Sequence, residues 1–177
     1  MWTEELLDQK LTTPSPRLIN DLAKINGDII ILGAGGKMGP TLALLAKKAV
    51  QAAGLFKRII AVSRFSDPIA VNLMKENGIE TISVDLLEPG VLNTLPDIEN
   101  VIYMAGRKFG TNGQEAQTWA MNAWLPSLVA ERFKKSNIVV FSSGNIYPMV
   151  PIASGGASEQ TSPEPVGEYA MSCLARE

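Results

Sequence analysis

Histidine is absent from the 177 residues, and cysteine occurs once, at Cys173. The first absence excludes Ser-His-Asp triads, imidazole acid–base catalysis and histidine metal ligands within this chain. The second excludes an internal disulfide and leaves a single thiol, far short of a zinc site. Charge of one sign is also lacking: 16 basic residues stand against 18 acidic ones, for a net charge of -2. A binder of the phosphate backbone needs a basic excess, so no nucleic-acid partner is expected. No apolar run is long enough to span a bilayer, and the opening MWTEELLDQK has no basic segment leading into an apolar stretch. The expectation is therefore no membrane partner, no secretory leader and a reducing, cytoplasmic setting. Hydrophobic residues make up 46% of the chain and charged residues 19%, enough apolar surface for one globular domain.

Residues 1–27 read as a polar, helix-prone N-terminal extension interrupted by TTPSP, with Ser15 and Pro16 suited to the cap and first turn of a helix ending near Asn26. From residue 28 to 177 five short β-branched runs alternate with helical segments. The runs are DIIILG (28–33), RIIAVS (58–63), TISVDL (81–86), NVIYMAG (100–106) and NIVVFSS (137–143). The helical segments are 38–54, 68–78, 88–95 and 113–136, the last to be kinked or broken at Pro126. Such alternation predicts an α/β fold, a doubly wound, mainly parallel, Rossmann-like sheet with helices on both faces. The Pro-, Ser- and Gly-rich stretch 148–167 predicts a long loop.

The first run enters Gly33-Ala34-Gly35-Gly36-Lys37-Met38-Gly39 and then a helix. A Walker A loop would need glycine at position 31 and Ser or Thr at 38, where Ile31 and Met38 stand. G-x-G-x-x-G fails as well, because its third glycine would fall on Met38. What fits is G-x-x-G-x-x-G through Gly33, Gly36 and Gly39. Glycine there permits a tight turn, close approach of a pyrophosphate and close helix packing at a helix N-terminus with free N–H groups. Nucleotide binding is the expected role; the alternative is a merely structural turn. The second run ends in Ser63-Arg64, where an acid would accept the 2′-hydroxyl of NAD and an arginine suits a 2′-phosphate. NADP is therefore preferred over NAD, with Lys37 as a second cation. Asp85 and Leu86 are expected near the adenine, and Ala105 and Gly106 close to the cofactor.

Taken in order, the GxxGxxG loop, Asp85, VIYMAG, Asn122, FSSGNIYP and Tyr169 resemble the short-chain dehydrogenase/reductase superfamily, in its extended branch of NAD(P)-dependent epimerases and dehydratases. The resemblance covers residues 28–177, and members continue beyond this point into a substrate-binding region. It implies hydride transfer at a hydroxyl or keto group of a small, nucleotide-sugar-type substrate. It places Ser143, with Ser142 as the near alternative, on the substrate oxygen, Tyr169 as acid–base, and Asn122 in a water-linked proton relay. A phenol ionises near pH 10 and is a poor base at neutral pH, so a cation beside it must favour the phenolate. The family supplies lysine four residues after the tyrosine; this chain has Cys173.

Three readings of Tyr169 and Cys173 stand side by side: an atypical active enzyme, a catalytically silent NADP-binding module that regulates or scaffolds a partner, or simple packing on one helix face. Cys173 is not expected to be a nucleophile, since no histidine exists to activate it. Arg107, Lys108 and Lys135 are either solvated or in contact with an anionic substrate, and at least one of Trp119 and Trp124 is expected in the core. A chain ending at Glu177 would leave a sheet edge to be covered, so a homo-oligomer is expected in that case.

Overall fold

In the computed structural model, which describes residues 3–110 and 112–177, the five runs become strands β1 (Ile29–Leu32), β2 (Ile59–Ser63), β3 (Glu80–Ser83), β4 (Asn100–Tyr103) and β5 (Asn137–Val140). All pair in parallel, in the order β3-β2-β1-β4-β5. The central register sets Ile30 opposite Ile60 on one side and Val101 on the other. Because both faces are covered, the inner strands need apolar residues at every position rather than at alternate ones. Ile29, Ile31, Ile59 and Ala61 join one core cluster; Ile30, Leu32, Ile60, Val62, Val101 and Tyr103 join the other. The expected doubly wound α/β fold is thus observed.

The first cluster is closed by α3 (Gly39–Ala52) and α4 (Pro68–Glu76), through Ala43, Ala49, Val50 and Met74. The N-terminal segment forms α1 (Glu4–Leu11) and α2 (Pro16–Lys24), the latter capped by Ser15 with Pro16 in the first turn. Leu22 of α2 is buried in this same cluster, so the extension is docked on the sheet's covering layer. The buried Thr12 hydroxyl donates to the Asp8 carbonyl at 2.8 Å and accepts from Lys48 of α3 at 2.6 Å, which ties down the end of α1.

α5 (Glu115–Trp119) runs through a π-helical turn over Ala120–Trp124 into α6 (Leu125–Arg132), which closes the second cluster through Leu125 and Val129. Pro126 has no N–H for the Asn122 carbonyl and its ring would crowd that group. The ladder therefore widens just ahead of it, with the Leu125 N–H reaching the Ala120 carbonyl five residues back. The break in regular hydrogen bonding thus falls before Pro126. Two expectations are corrected. Segment 88–95 is only a 3₁₀ turn, Val91–Thr94, because Gly90 with φ of 79° ends the preceding turn. Neither tryptophan is in the core: Trp119 is half-buried, its indole N–H donating to Glu168, and Trp124 is 52% exposed.

The loop of 148–167 holds a single 3₁₀ turn, Ile152–Ser154, and leads into α7 (Gly167–Leu174). Strand β5 is an edge: Val139 and Val140 are 59% and 45% exposed. Among the described residues no helix is long and apolar enough to cross a membrane, and no group of three His, Cys, Asp or Glu stands together.

Candidate functional site

The chain crosses from β3 at one edge to β4 beside β1, so the switch of direction lies between β1 and β4, where doubly wound sheets open a crevice at the strands' carboxyl ends. A cleft of about 350 Å³ lies there. It is lined by Gly33, Gly35 and Gly36, by Ser63 to Ser66 after β2, by Val84, Asp85 and Leu86 after β3, and by Met104 to Gly106 after β4. Seven of the residues singled out in the sequence are therefore brought together: Gly33, Gly36, Arg64, Asp85, Leu86, Ala105 and Gly106. Lys37, Met38 and Gly39 are not on this wall. Lys37 is exposed, and Gly39 is buried as the first residue of α3.

The glycines of the loop have different reasons to be glycine. Gly33 has φ of 94°, and a Cβ on it would lie 2.4 Å from the Ala105 nitrogen. A Cβ on Gly39 would lie 2.0 Å from the Ala34 carbonyl oxygen, and one on Gly35 would lie 2.5 Å from the Ser63 hydroxyl. Gly33 and Gly39, which meet backbone, are required by the protein's own packing, whereas at Gly35 the Ser63 hydroxyl would have to turn aside. Gly36 is not so required: it is exposed, its φ is not positive, and a Cβ there would meet nothing closer than 3.9 Å. The N–H groups of Gly33 and Ala34 are spent on the Val62 carbonyl, at 2.9 and 3.1 Å. Those of Gly35, Lys37 and Met38 have no partner among the described residues. A loop with unspent donors and one glycine that the fold leaves open can accept an anion at close quarters.

On the β2 side of the cleft, the Arg64 guanidinium stands 3.6 Å from the Asp85 carboxylate and is 72% exposed. Asp85 also accepts from the Leu87 N–H at 3.0 Å, which fixes the turn after β3. Phe65 follows with φ of 48°, in the left-handed region that non-glycine residues rarely enter, and packs its ring on the first core cluster. The turn thus directs Arg64 outward while holding the next residue in.

A second cleft, of about 240 Å³, continues past Gly106. It is lined by Tyr169, Cys173 and Arg176 of the C-terminal segment, Ser142 after β5, Asn122 of the π-helical turn, and Arg107 and Lys108 after β4. Tyr169 and Cys173 do share a face of α7; the thiol is buried and Tyr169 is half-buried. Ser142, whose hydroxyl donates to Glu177, lines the cleft, whereas the Ser143 hydroxyl accepts from the Asn145 N–H at 3.2 Å and caps a 3₁₀ turn. Lys135 lies away from it, at the opposite end of β5.

Asn122 is fully buried. Its side-chain carbonyl accepts from the Arg107 N–H at 2.7 Å, and its amide donates to the Arg107 carbonyl and to the Ser172 hydroxyl, both at 3.0 Å. One side chain thereby joins the loop after β4 to α7, and so sets the width of the cleft. Beneath, the Tyr103 hydroxyl donates to the Met121 carbonyl at 3.1 Å; burial pushes its ionisation far above the ordinary phenol range, and only the charge of Arg176 opposes this. Arg176 is the member that motif reading missed. Its signal was available, since it lies seven residues after Tyr169 and three after Cys173, in the turn that follows α7.

No family model and no curated protein matches the sequence. Solved structures do match the fold. ADP-L-glycero-D-manno-heptose-6-epimerase of Helicobacter pylori matches with a TM-score of 0.69 at 19% identity, over 85% of this chain and 49% of that one. UDP-glucuronic acid 4-epimerase of Bacillus cereus, in complex with UDP-glucuronic acid and NAD, matches with a TM-score of 0.65 at 19% identity, over 84% of this chain and 49% of that one. The Bordetella bronchiseptica enzyme WbmG, in complex with NAD and UDP, gives a TM-score of 0.64 at 19% identity, over 86% and 48%. The chain spans about half the length of the structures it matches. The likeness is one of fold: these structures share the doubly wound, parallel α/β architecture described above.

Proposed function

We propose that the chain is the nicotinamide-dinucleotide-binding part of an epimerase, dehydratase or reductase acting on a hydroxyl or keto group of a small, nucleotide-sugar-type substrate. The observation that carries this is Gly36: the fold has no use for a bare backbone there, and a ligand lying against the loop does. Gly33 to Gly39 would hold the pyrophosphate through the unspent N–H groups of Gly35, Lys37 and Met38. Asp85 and Leu86 would flank the adenine, and Arg64 would meet a 2′-phosphate, which favours NADP, with Lys37 adding charge from solvent. Ala105 and Gly106 would pass beside the nicotinamide ribose.

When bound, the nicotinamide supplies a two-electron hydride acceptor or donor at the substrate carbon. Tyr169 accepts the proton of the substrate hydroxyl as the carbon is oxidised, and returns it in the reverse step. The supporting hydrogen bond to the same oxygen is assigned to Ser142, because Ser142 shares the cleft with Tyr169; Ser143, the sequence's first choice, is one residue further and turned into a cap. Asn122 acts on the loop backbone and on Ser172, holding Tyr169's helix against Arg107.

The test is a titration of the protein with NADPH and NADH, followed by nicotinamide fluorescence, on the wild type and on Gly36→Val. The expected result is saturable binding by the wild type and its loss in the variant at an unchanged melting temperature. Equal binding by both proteins, or none by a folded wild type, removes the reading. A second reading, a catalytically silent binding module, is favoured by the buried Cys173 where the resemblance expects a lysine. It predicts cofactor binding without hydride exchange for any nucleotide sugar, even after Cys173→Lys.

A further inference from the structure

The cleft beyond Gly106 carries three cations and no carboxylate on its lining: Arg107, Lys108 and Arg176. Their partners are as informative as their number. Arg107 donates from Nη1 to the neutral Gln117 and from Nη2 to the Gly110 carbonyl at 2.8 Å, and its Nε is buried without a partner. Lys108 lies over the Phe109 ring, 5.7 Å from its centroid. Arg176 is half-buried, its Nε is also buried without a partner, and its guanidinium makes no hydrogen bond or ion pair among the described residues. The only orphaned buried side-chain polar atoms among the described residues are thus two arginine Nε atoms on one cleft.

A guanidinium withdrawn from water without an anion is costly, and proteins normally pair it or leave it in solvent. The nearest carboxylate along the chain, Glu177, accepts from Ser142 and does not reach Arg176. Nη1 lies 3.7 Å from where a Cβ of Gly106 would stand, so the open end of the guanidinium faces the loop that forms the cleft's floor. Its planar fork suits a carboxylate or phosphate held by two parallel hydrogen bonds.

We infer that the substrate entering the Tyr169 cleft carries an oxyanion, a carboxylate or a phosphate, and that Arg176 binds it, with Arg107 and Lys108 strengthening the local field. This rests on the reading of the cleft as the substrate side of the cofactor site, but it concerns a different group of residues, and the two can fail separately. Binding of glucuronate, glucose 6-phosphate and glucose is to be measured by calorimetry at constant ionic strength, with and without saturating NADH, on the wild type, Arg176→Gln and Arg176→Lys. Melting temperatures establish that each protein is folded.

The expected result is that at least one anion binds more tightly than glucose, and that Arg176→Gln weakens it about tenfold or more while Arg176→Lys loses less. Preference for glucuronate assigns a carboxylate; preference for glucose 6-phosphate assigns a phosphate. Anion affinity unchanged in Arg176→Gln, or neither anion exceeding glucose, overturns the inference whether or not NADH binds. Anion binding retained in a protein that does not bind NADH overturns the glycine-loop reading instead.

Discussion

The two ends of the crevice are built on different principles. At the glycine-loop end, β1 is buried throughout and β2 up to its last residue, and backbone touches backbone so closely that Gly33 and Gly39 admit no side chain. At the Tyr169 end, β5 is largely exposed and the cleft is shaped by residues from five separate segments, Met38 of the glycine loop among them. The first end is specified by what cannot fit, the second by what reaches across. Steric exclusion leaves a pattern in the sequence, whereas reach depends on elements that are distant along the chain.

The sharpest way to test this contrast lies inside the loop itself. Gly39→Ala drives a Cβ into the Ala34 carbonyl and is expected to cost about 3 kcal/mol, whereas Gly36→Ala should stay within about 0.5 kcal/mol of the wild type. Chemical denaturation of the two variants checks it, and equal losses would break the distinction. At the other end, Asn122→Ala leaves the Arg107 N–H and carbonyl and the Ser172 hydroxyl short of a partner, for an expected loss of about 2–3 kcal/mol. Here an Asn122→Asp variant keeps the acceptor but sets a buried carboxylate against the Arg107 carbonyl, and should be at least as destabilised as alanine.

A smaller effect separates the cofactors. Arg64→Ala should weaken NADPH about tenfold, or 1.4 kcal/mol, and NADH much less; equal losses would place Arg64 in a structural role through Asp85. The smallest expected effect lies at the foot of the sheet. Burial alone would raise the Asp28 ionisation, but the N–H and guanidinium of Arg58, the latter at 2.6 Å, outweigh it and hold the carboxyl below the usual range. A lowered folded value means stabilisation that is complete above the ordinary aspartate pKa and is lost as pH falls through the folded one. Half-exposed Arg58 limits this to about 0.5–1 kcal/mol. Denaturation from pH 7 to pH 3 should therefore show a steeper decline for the wild type than for Asp28→Asn.

Much of the fold was legible because its signals are local. Continuous β-branched runs give strands covered on both faces, Ser15-Pro16 gives a helix start, and the spacing of Gly33, Gly36 and Gly39 gives the loop. What was not legible is tertiary. Nothing local distinguishes Ser142 from Ser143; the turn at Gly144–Ile146 decides which hydroxyl faces the cleft. The burial of neither Trp119 nor Trp124 follows from helix phase, because the widened turn between them alters that phase. Arg176 lay in plain view at helical spacing from Tyr169, but a search for lysine at one position passed over a cation one turn further on.

The π-helical turn at Ala120–Trp124 also sets which changes this helix can survive. Thr118 and Asn122 before its end, and Leu125 and Val129 after it, are all buried. Their spacing of four, three and four residues is that of one helix face, and a deletion before the turn would swing the remainder by about 100° relative to what precedes it. Such a deletion would turn Leu125 and Val129 out of the core.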